Sequence, residues 1–267
     1  MVVPYLSAEY PLRFAHRGSR VLWPENTAEA FQGAVDLGYT YLETDVRITR
    51  DGVVVVFHDE TLERTTNGAG PVDRWDFADL QQLDAAYWFD EADGYPRRGT
   101  GVRVRALAEV FELWPEAHFN IDLKGPNLEW VVADLIKRHG MEHKTLIGSF
   151  VDHRIARFRR ITRGEVATSA GPGSVLAMVT ASRFGRNVPT RAQAYQLPFD
   201  YRSVPIDRRL IAAIHAAGAQ VHTWTVNEAV DMHRLLDLGV DGIVSDRPDV
   251  LNDVIRDRGG SNGGADV

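Results

Sequence analysis

The chain has 267 residues, of which 44% are hydrophobic and 25% charged, which suits one α/β barrel or two small globular domains. Its formal net charge of −7, with no basic stretch to offset it, argues against a nucleic-acid partner. The absence of cysteine excludes disulfides, thiolate nucleophiles and cysteine-based zinc sites.

The N-terminal segment, residues 1–18, has no basic region followed by an apolar core, so no signal peptide is predicted. No run approaches the roughly 20 apolar residues of a membrane span. We therefore expect a cytoplasmic protein without stable membrane insertion, although a mature form that has lost a leader would look the same.

Strands and helices alternate along most of the chain. Strands are predicted at 12–16, 41–48, 118–123, 144–150, 165–170, 192–197, 220–226 and 242–245. Helices are predicted at 28–37, 107–114, 128–139, 152–161, 173–184, 207–217, 228–238 and 249–257. This alternation predicts a single α/β domain over 1–267, a TIM (β/α)8 barrel, with a disordered tail at about 258–267.

The second predicted strand carries two acids, Glu43 and Asp45, whose side chains project from the same face. The turn 49–52 is too short for a parallel crossover, so the next strand, 53–57, is predicted to pair with it as an antiparallel hairpin. The hairpin brings His58 near both acids. The irregular, aromatic segment that follows makes residues 46–104 a small insertion after the second strand, with a short helix at 75–83.

Polar residues occur where the predicted strands end. They are His16, Arg17, Glu43, Asp45, Asp122, Lys124, Ser149, Trp224, Asn227 and Asp246. Barrel active sites are built at the carboxyl ends of the strands, so these side chains are expected to meet.

Three carboxylates, Glu43, Asp45 and Asp122, favour a hard cation, Mg²⁺ or Ca²⁺, with Mn²⁺ as a further option. The alternative is that Glu43 pairs with an arginine and Asp122 caps a loop. Two histidines, His16 and His58, suit general acid–base work on a phosphate ester. Their alternative is a pair of buried histidines with satisfied hydrogen bonds.

The remaining candidates concern the substrate. Arg17 and Lys124 suit phosphate oxygens, with surface ion pairing as the alternative. Glu25 is a substrate-binding candidate that could instead cap the first helix. Trp224 and Phe150 could stack on an apolar part of the substrate or fill the barrel mouth. No nucleotide-binding glycine loop and no Gly-x-Ser-x-Gly motif occurs.

Taken together, these motifs resemble the glycerophosphodiester phosphodiesterase family, among the phosphodiesterase barrels related to phosphatidylinositol-specific phospholipase C. The matching motifs are His16-Arg17-Gly18, Pro24-Glu25-Asn26-Thr27, Glu43-Thr44-Asp45-Val46, Phe57-His58-Asp59, Leu62-Glu63-Arg64-Thr65-Thr66, Asp122-Leu123-Lys124, Ser149-Phe150, Trp224-Thr225-Val226-Asn227 and Asp241-Gly242-Ile243 to Asp246. They follow the family's order over nearly the whole chain.

The resemblance implies hydrolysis of small-molecule glycerophosphodiesters to glycerol 3-phosphate and an alcohol. It implies that His16 and His58 are the acid–base pair and that Arg17 and Lys124 hold phosphate. It also implies that one divalent cation is held by Glu43, Asp45 and Asp122. The family usually has Glu where this chain has Asp122, so ligation there could be looser or pass through a water.

Two other interpretations stay open at the level of sequence. The chain could be a lysophospholipase D or another phosphodiesterase on the same barrel, with the aromatic insertion admitting an acyl chain. Tyr87 and Trp88 of the insertion could line the same cleft as Phe150. It could also be a binding protein that has kept the barrel without catalysis.

Overall fold

A computed structural model describes residues 4–7, 10–186, 188–199 and 204–261. The strands are β1 Leu12–His16, β2 Tyr41–Ile48, β3 Val54–Val56, β4 His118–Leu123, β5 Thr145–Gly148, β6 Ala167–Thr168, β7 Ala194–Pro198, β8 Gln220–Trp224 and β9 Gly242–Ser245. The helices are α1 Ala28–Asp36, α2 Phe77–Leu80, α3 Leu107–Leu113, α4 Leu128–Arg138, α5 Asp152–Ile161, α6 Pro172–Arg183, α7 Arg208–Ala216, α8 Ala229–Leu238 and α9 Pro248–Ser261.

Eight of the strands form a parallel barrel. Their order is β6, β5, β4, β2, β1, β9, β8 and β7, and a parallel bridge between Ser169 and Ala194 joins the two ends. The amide of Ala170 also donates to the carbonyl of Ala194 across this seam. The ninth strand, β3, lies outside the ring and pairs antiparallel with β2, as the hairpin prediction requires. The predicted TIM barrel is confirmed.

The register of the strands places the polar residues at matching heights. His16 pairs with Glu43 across β1 and β2, and Glu43 pairs with Asn120 across β2 and β4. Two residues further on, Asp45 is the register partner of Asp122. Because side chains alternate along a strand, Glu43, Asp45 and Asp122 all project toward the barrel axis at its carboxyl end.

The main core lies between the sheet and the surrounding helices. In α1, Ala30, Phe31 and Ala34 are fully buried, at the three- and four-residue spacing of one helix face. The helix begins after Thr27, whose hydroxyl accepts from the amide of Ala30. Within the described residues, no helix is both long enough and apolar enough to cross a membrane.

The insertion after β2 has a separate hydrophobic cluster. Its buried members are Val55, Phe57, Leu62, Val72, Leu80, Ala85, Ala86, Val102 and Val104. The predicted helix 75–83 is only the single turn of α2, because Trp75 is extended and Asp76 precedes the first helical residue. The cluster packs the irregular segment as a unit, which explains how a long loop stays ordered.

The C-terminal helix is longer than predicted. Arg258 forms an ion pair with Asp237 of α8 at 2.9 Å, and α9 continues to Ser261. Residues 258–261 are therefore helical, where the sequence predicts the start of a disordered tail. The rest of that tail, 262–267, lies outside the described residues.

Candidate active site

The carboxyl ends of the barrel strands open into one cleft of about 990 Å³. Nine of the ten predicted site residues line it: His16, Arg17, Glu43, Asp45, His58, Asp122, Lys124, Phe150 and Trp224. Glu25 does not line the cleft. The barrel thus brings together residues that are up to about 200 positions apart in the chain.

His16 ends β1 and is held from both sides of its ring. Its Nδ1 lies 2.6 Å from Oδ1 of Asp246, and its Nε2 lies 3.8 Å from Oε2 of Glu43. Burial lowers the pKa of His16, but the charges of Glu43 and Asp246 outweigh burial, and the net direction is upward. The charged imidazolium is therefore favoured at this position.

His58 follows β3 and has a different environment. Its Nδ1 lies 2.5 Å from Oδ1 of Asp59, and the guanidinium of Arg64 donates to the other oxygen of Asp59. Burial lowers the pKa of His58 and outweighs the opposing effects of Asp45 and Asp59. The two histidines thus shift in opposite directions, which is the pattern expected of a group that gives a proton and a group that takes one.

Two neighbouring acids of β2 also differ in protonation. Burial and the nearby charge of Asp45 raise the pKa of Glu43 to about 7. Burial also tends to raise the pKa of Asp45, but the positive charges of Lys124 and Arg17 outweigh burial, and the net shift is downward. The backbone amide of Arg17 donates to Oε2 of Glu43 at 3.0 Å. Glu43 is therefore held by a backbone donor and not by the arginine side-chain pair that was the alternative expectation.

Lys124 lies between two of the carboxylates. Its Nζ is 3.0 Å from Oδ1 of Asp45 and 2.6 Å from Oδ2 of Asp122. The other oxygen of Asp122 is buried and has no hydrogen-bond partner in the part of the chain that the structure describes. Asp122 is therefore only half satisfied by protein groups, and its free oxygen can accept from a ligand or ion.

The site contains carboxylate oxygens, which are the ligands that hard cations prefer, but they are not arranged as a complete metal site. Among the residues that the structure describes, no three His, Asp or Glu side chains are spaced to share a metal ion. The ammonium of Lys124 forms ion pairs with two of the three carboxylates, Asp45 and Asp122. The orphaned oxygen of Asp122 and the buried Glu43 fit a divalent cation, provided that the flexible Lys124 side chain turns away.

Arg17 is fixed by two acids. Its Nη1 donates to Glu25 at 2.8 Å, and its Nε lies 3.0 Å from Oδ2 of Asp45. Nη1 and Nη2 of Arg64 each donate to a carboxylate oxygen of Glu25 at 2.8 Å. Glu25 therefore links the β1 loop to the insertion and holds the arginine that faces the cleft, rather than facing it itself.

Aromatic residues of the cleft form one contact pair. The rings of Phe150 and Trp224 meet edge to face at 5.6 Å, and Nζ of Lys124 lies 5.4 Å from the ring centroid of Phe150. Tyr87 and Trp88 do not line the cleft. Both instead pack against the guanidinium of Arg98 within the insertion, which is contrary to the expectation that they could line the cleft.

Several polar groups of the site have no role assigned from the sequence. Asp246 accepts from the side-chain amide of Asn227 at 3.0 Å and from Arg20 at 3.1 Å. These two donors fix the carboxylate that contacts His16. In the same way, Arg64 donates to Asp59 and fixes the carboxylate that contacts His58. The position of Asp246 at a strand end was the available signal, but its partner follows only from closure of the barrel.

Fold and site together define a TIM-barrel protein with two histidines, three carboxylates and two basic side chains, Arg17 and Lys124, in one cleft. The model of the glycerophosphoryl diester phosphodiesterase family matches residues 16–166 and 161–250. The chain is 38% identical over 259 residues to "Probable glycerophosphodiester phosphodiesterase 2" of Mycobacterium tuberculosis, covering 93% of this chain and 92% of that protein. It therefore belongs to the glycerophosphodiester phosphodiesterase family.

Solved structures agree with this assignment. A glycerophosphodiester phosphodiesterase from Agrobacterium tumefaciens superposes with a TM-score of 0.73 at 28% identity, covering 90% of this chain and 97% of that one. A phosphodiesterase from Oleispira antarctica in complex with the product sn-glycerol-3-phosphate gives a TM-score of 0.73 at 25% identity, covering 92% and 97%.

Proposed function

We propose that this chain hydrolyses glycerophosphodiesters to glycerol 3-phosphate and an alcohol, using a divalent cation with His16 and His58 as the acid–base pair. The observation that carries the proposal is that both imidazoles face one cleft with three carboxylates, each ring held through Nδ1 by its own carboxylate. The product found in the Oleispira antarctica relative supports the substrate class.

The residues of this chain have distinct tasks. Arg17 offers a fixed guanidinium to the phosphate oxygens, and Lys124 adds a second positive charge on the other side of Asp45. One histidine takes a proton from the attacking hydroxyl or water. The other returns a proton to the departing alcohol oxygen, so the two exchange their protonation states in one cycle.

The proposed cation is Mg²⁺ or Ca²⁺, with Mn²⁺ as an option. Glu43, Asp45 and Asp122 would hold it, because hard cations prefer carboxylate oxygens. When bound, it supplies positive charge that stabilises the phosphate as negative charge builds up on its oxygens. Lys124 would then leave the acid pair and face the substrate phosphate.

The proposal is tested with His16→Gln and His58→Gln, with His215→Gln as the matched control. His215 also pairs with a carboxylate, Asp241 at 2.7 Å, but lies outside the cleft. We expect roughly 100-fold or greater loss of kcat on glycerophosphocholine for each cleft variant and no change for the control. Near wild-type kcat in either cleft variant would contradict the assignment of roles.

Metal dependence needs a separate measurement. Treatment with EDTA is expected to abolish turnover, and adding back Mg²⁺, Ca²⁺ or Mn²⁺ in turn is expected to restore it. Calorimetric titration with each ion should show one site in the wild type and in His58→Gln, but weakened binding in Asp45→Asn. Full activity in EDTA would contradict the proposed requirement for a divalent cation.

The predicted cytoplasmic location remains a proposal as well. Fractionation of the source cells, followed by an assay of choline release from glycerophosphocholine, would test it. Activity confined to a membrane or secreted fraction would contradict it.

A further inference from the structure

The side of the cleft formed by β5, β6 and β7 is lined by small and polar residues. Gly148 ends β5, Ser169 follows β6 and Gln196 lies in β7, and all three line the cleft. Tyr195 and Leu197 pack into the main core, so Gln196 between them projects toward the interior of the barrel. Barrel interiors are ordinarily filled by bulky branched side chains. These three residues, which we call the β5–β7 pocket, leave space there instead.

The glycine of this pocket allows several side-chain oxygens to approach one point. A Cβ built on Gly148 would lie 3.4 Å from Oε1 of Gln196 and 3.5 Å from Oγ of Ser169. The same point is 3.8 Å from Oδ1 of Asp122, which is the register partner of Gly148 in the sheet. Because Asp122 is a proposed ligand of the cation and pairs with Lys124, the pocket adjoins the site proposed for the phosphate.

The side chain of Gln196 has an unused donor. Its Nε2 is buried and has no hydrogen-bond partner among the residues that the structure describes. A buried donor without a partner is unfavourable, and nearly all such groups in native proteins are paired. A ligand group that accepts from Nε2 would remove this cost, and the position of Gln196 in the cleft lining gives a ligand access to it.

We infer that the β5–β7 pocket binds a hydroxyl group of the substrate and that Gln196 is a specificity-determining residue. This inference rests on the proposed function. The carboxylate of Asp122 disfavours an anionic group in the pocket, and the N–H groups of Gln196 disfavour a cation. A hydroxyl both accepts and donates, so it can accept from Nε2 of Gln196 and donate to Oγ of Ser169.

The hydroxyl has two possible sources, the glycerol half of the diester and its alcohol half. Glycerophosphocholine has hydroxyls only in its glycerol half, whereas glycerophosphoglycerol has them in both halves. Comparing kcat/KM for these two diesters therefore identifies which half occupies the pocket.

The first variant, Gln196→Met, keeps the length of the side chain and removes its donor. We expect kcat/KM to fall roughly three- to tenfold, the effect of one lost hydrogen bond. Both diesters lose if the glycerol half binds here, and glycerophosphoglycerol alone loses if the alcohol half does. Gln82→Met is the matched control, because Gln82 is exposed and outside the cleft lining, and it should leave both values unchanged.

The second variant, Gly148→Ala, fills the pocket. Gly148 does not have a positive φ, and the added Cβ would make no contact shorter than 3.4 Å, so urea unfolding should match the wild type. We expect kcat/KM to fall about tenfold or more for the same diesters as in Gln196→Met, because the hydroxyl is displaced. Gly259→Ala, which has open space around its Cβ and lies outside the cleft lining, is the control.

Inhibition by inorganic phosphate separates the pocket from the phosphate site. Phosphate has no hydroxyl-bearing carbon chain and is held by Arg17 and Lys124 in the proposed function, so its inhibition constant should be the same in Gln196→Met and in the wild type. Cleavage of neither diester by the wild type would overturn the proposed function itself. Wild-type kcat/KM for both diesters in Gln196→Met, or an equal weakening of inhibition by inorganic phosphate, would overturn the inference about the pocket and leave the phosphodiesterase proposal standing.

Discussion

At the scale of single residues, the site is built from carboxylates that fix other side chains. Asp246 orients His16, Asp59 orients His58, and Glu25 orients Arg17. A hydrogen bond from one ring nitrogen to a carboxylate fixes the tautomer and the direction of the ring, which leaves the other nitrogen toward the cleft. The two histidines and Arg17 are therefore positioned by carboxylates, of which Asp246 itself also lines the cleft.

The role of Asp246 can be tested by Asp246→Asn. The amide keeps the shape and the contact with Asn227 but weakens the hold on His16, so kcat on glycerophosphocholine should fall roughly 10- to 100-fold with little change in KM. The pH–rate profile should also shift, because the variant removes a charge that raises the pKa of His16. Asp249→Asn, which loses an ion pair with Arg247 outside the cleft, is the control and should keep wild-type kcat.

At the scale of elements, the connection from β1 to α1 shows how tightly the site loops are packed. Arg17 and Gly18 both have positive φ, at 53° and 81°, and the amide of Asn26 closes the loop by donating to the carbonyl of Arg17 at 2.9 Å. A Cβ on Gly18 would lie 2.6 Å from the backbone carbonyl carbon of Ala30. The glycine is thus required both for its dihedral angle and for the close approach of α1.

Comparing Gly18→Ala with Gly52→Ala separates these two requirements. Gly52 has a similar φ of 86° but open space around its Cβ position, so its alanine variant should lose only about 1 kcal/mol of unfolding free energy. Gly18→Ala adds the clash and should lose roughly 2 to 5 kcal/mol. Urea denaturation measures both. Equal losses would show that the contact with Ala30 is not limiting.

At the scale of the whole molecule, the two ends of the barrel differ in polarity. The carboxyl end holds the charged cleft, while the amino end is filled by Tyr5, Phe14 and Tyr41, with His118 stacked on Tyr41 at 4.6 Å. His222 lies in this interior, fully buried and 4.8 Å from the ring of Phe14. Closing the barrel therefore buries an imidazole whose Nε2 lies 3.0 Å from the amide oxygen of Gln220, with no counter-charge among the residues that the structure describes.

This burial predicts a pH-dependent stability. Burial lowers the pKa of His222 to about 3, whereas in the unfolded chain it is about 6.5. Only the unfolded chain binds this proton between those values, so stability is lost as pH falls below 6.5 and the loss is complete near 3. Between pH 7.5 and pH 5 this residue should cost about 2 kcal/mol.

Urea unfolding of the wild type and His222→Gln at pH 7.5 and at pH 5 measures the effect. The pKa values of His16 and His118 are also shifted, His16 upward and His118 downward, but both residues are common to the two proteins. The difference between the two proteins therefore isolates His222. An equal pH dependence in both would show that the buried imidazole is protonated in the folded state.

Much of this architecture follows from the sequence by local rules. Alternating strands and helices predict the barrel, and the two-residue spacing of Glu43 and Asp45 predicts that both face its interior. The short turn at 49–52 predicts the hairpin that brings His58 to them. Element ends were harder to predict, as in α2 and α9, because an ion pair such as Arg258 with Asp237 joins residues distant in sequence.

By itself the sequence determined the fold class and most of the polar residues that meet in the cleft, since periodicity and strand ends are properties of neighbouring residues. Only the tertiary structure decided which partner each group has: Asp246 for His16 across 230 positions, and Lys124 between Asp45 and Asp122. The physical reason is that closing the barrel fixes the distances between strands, and no local pattern encodes those distances.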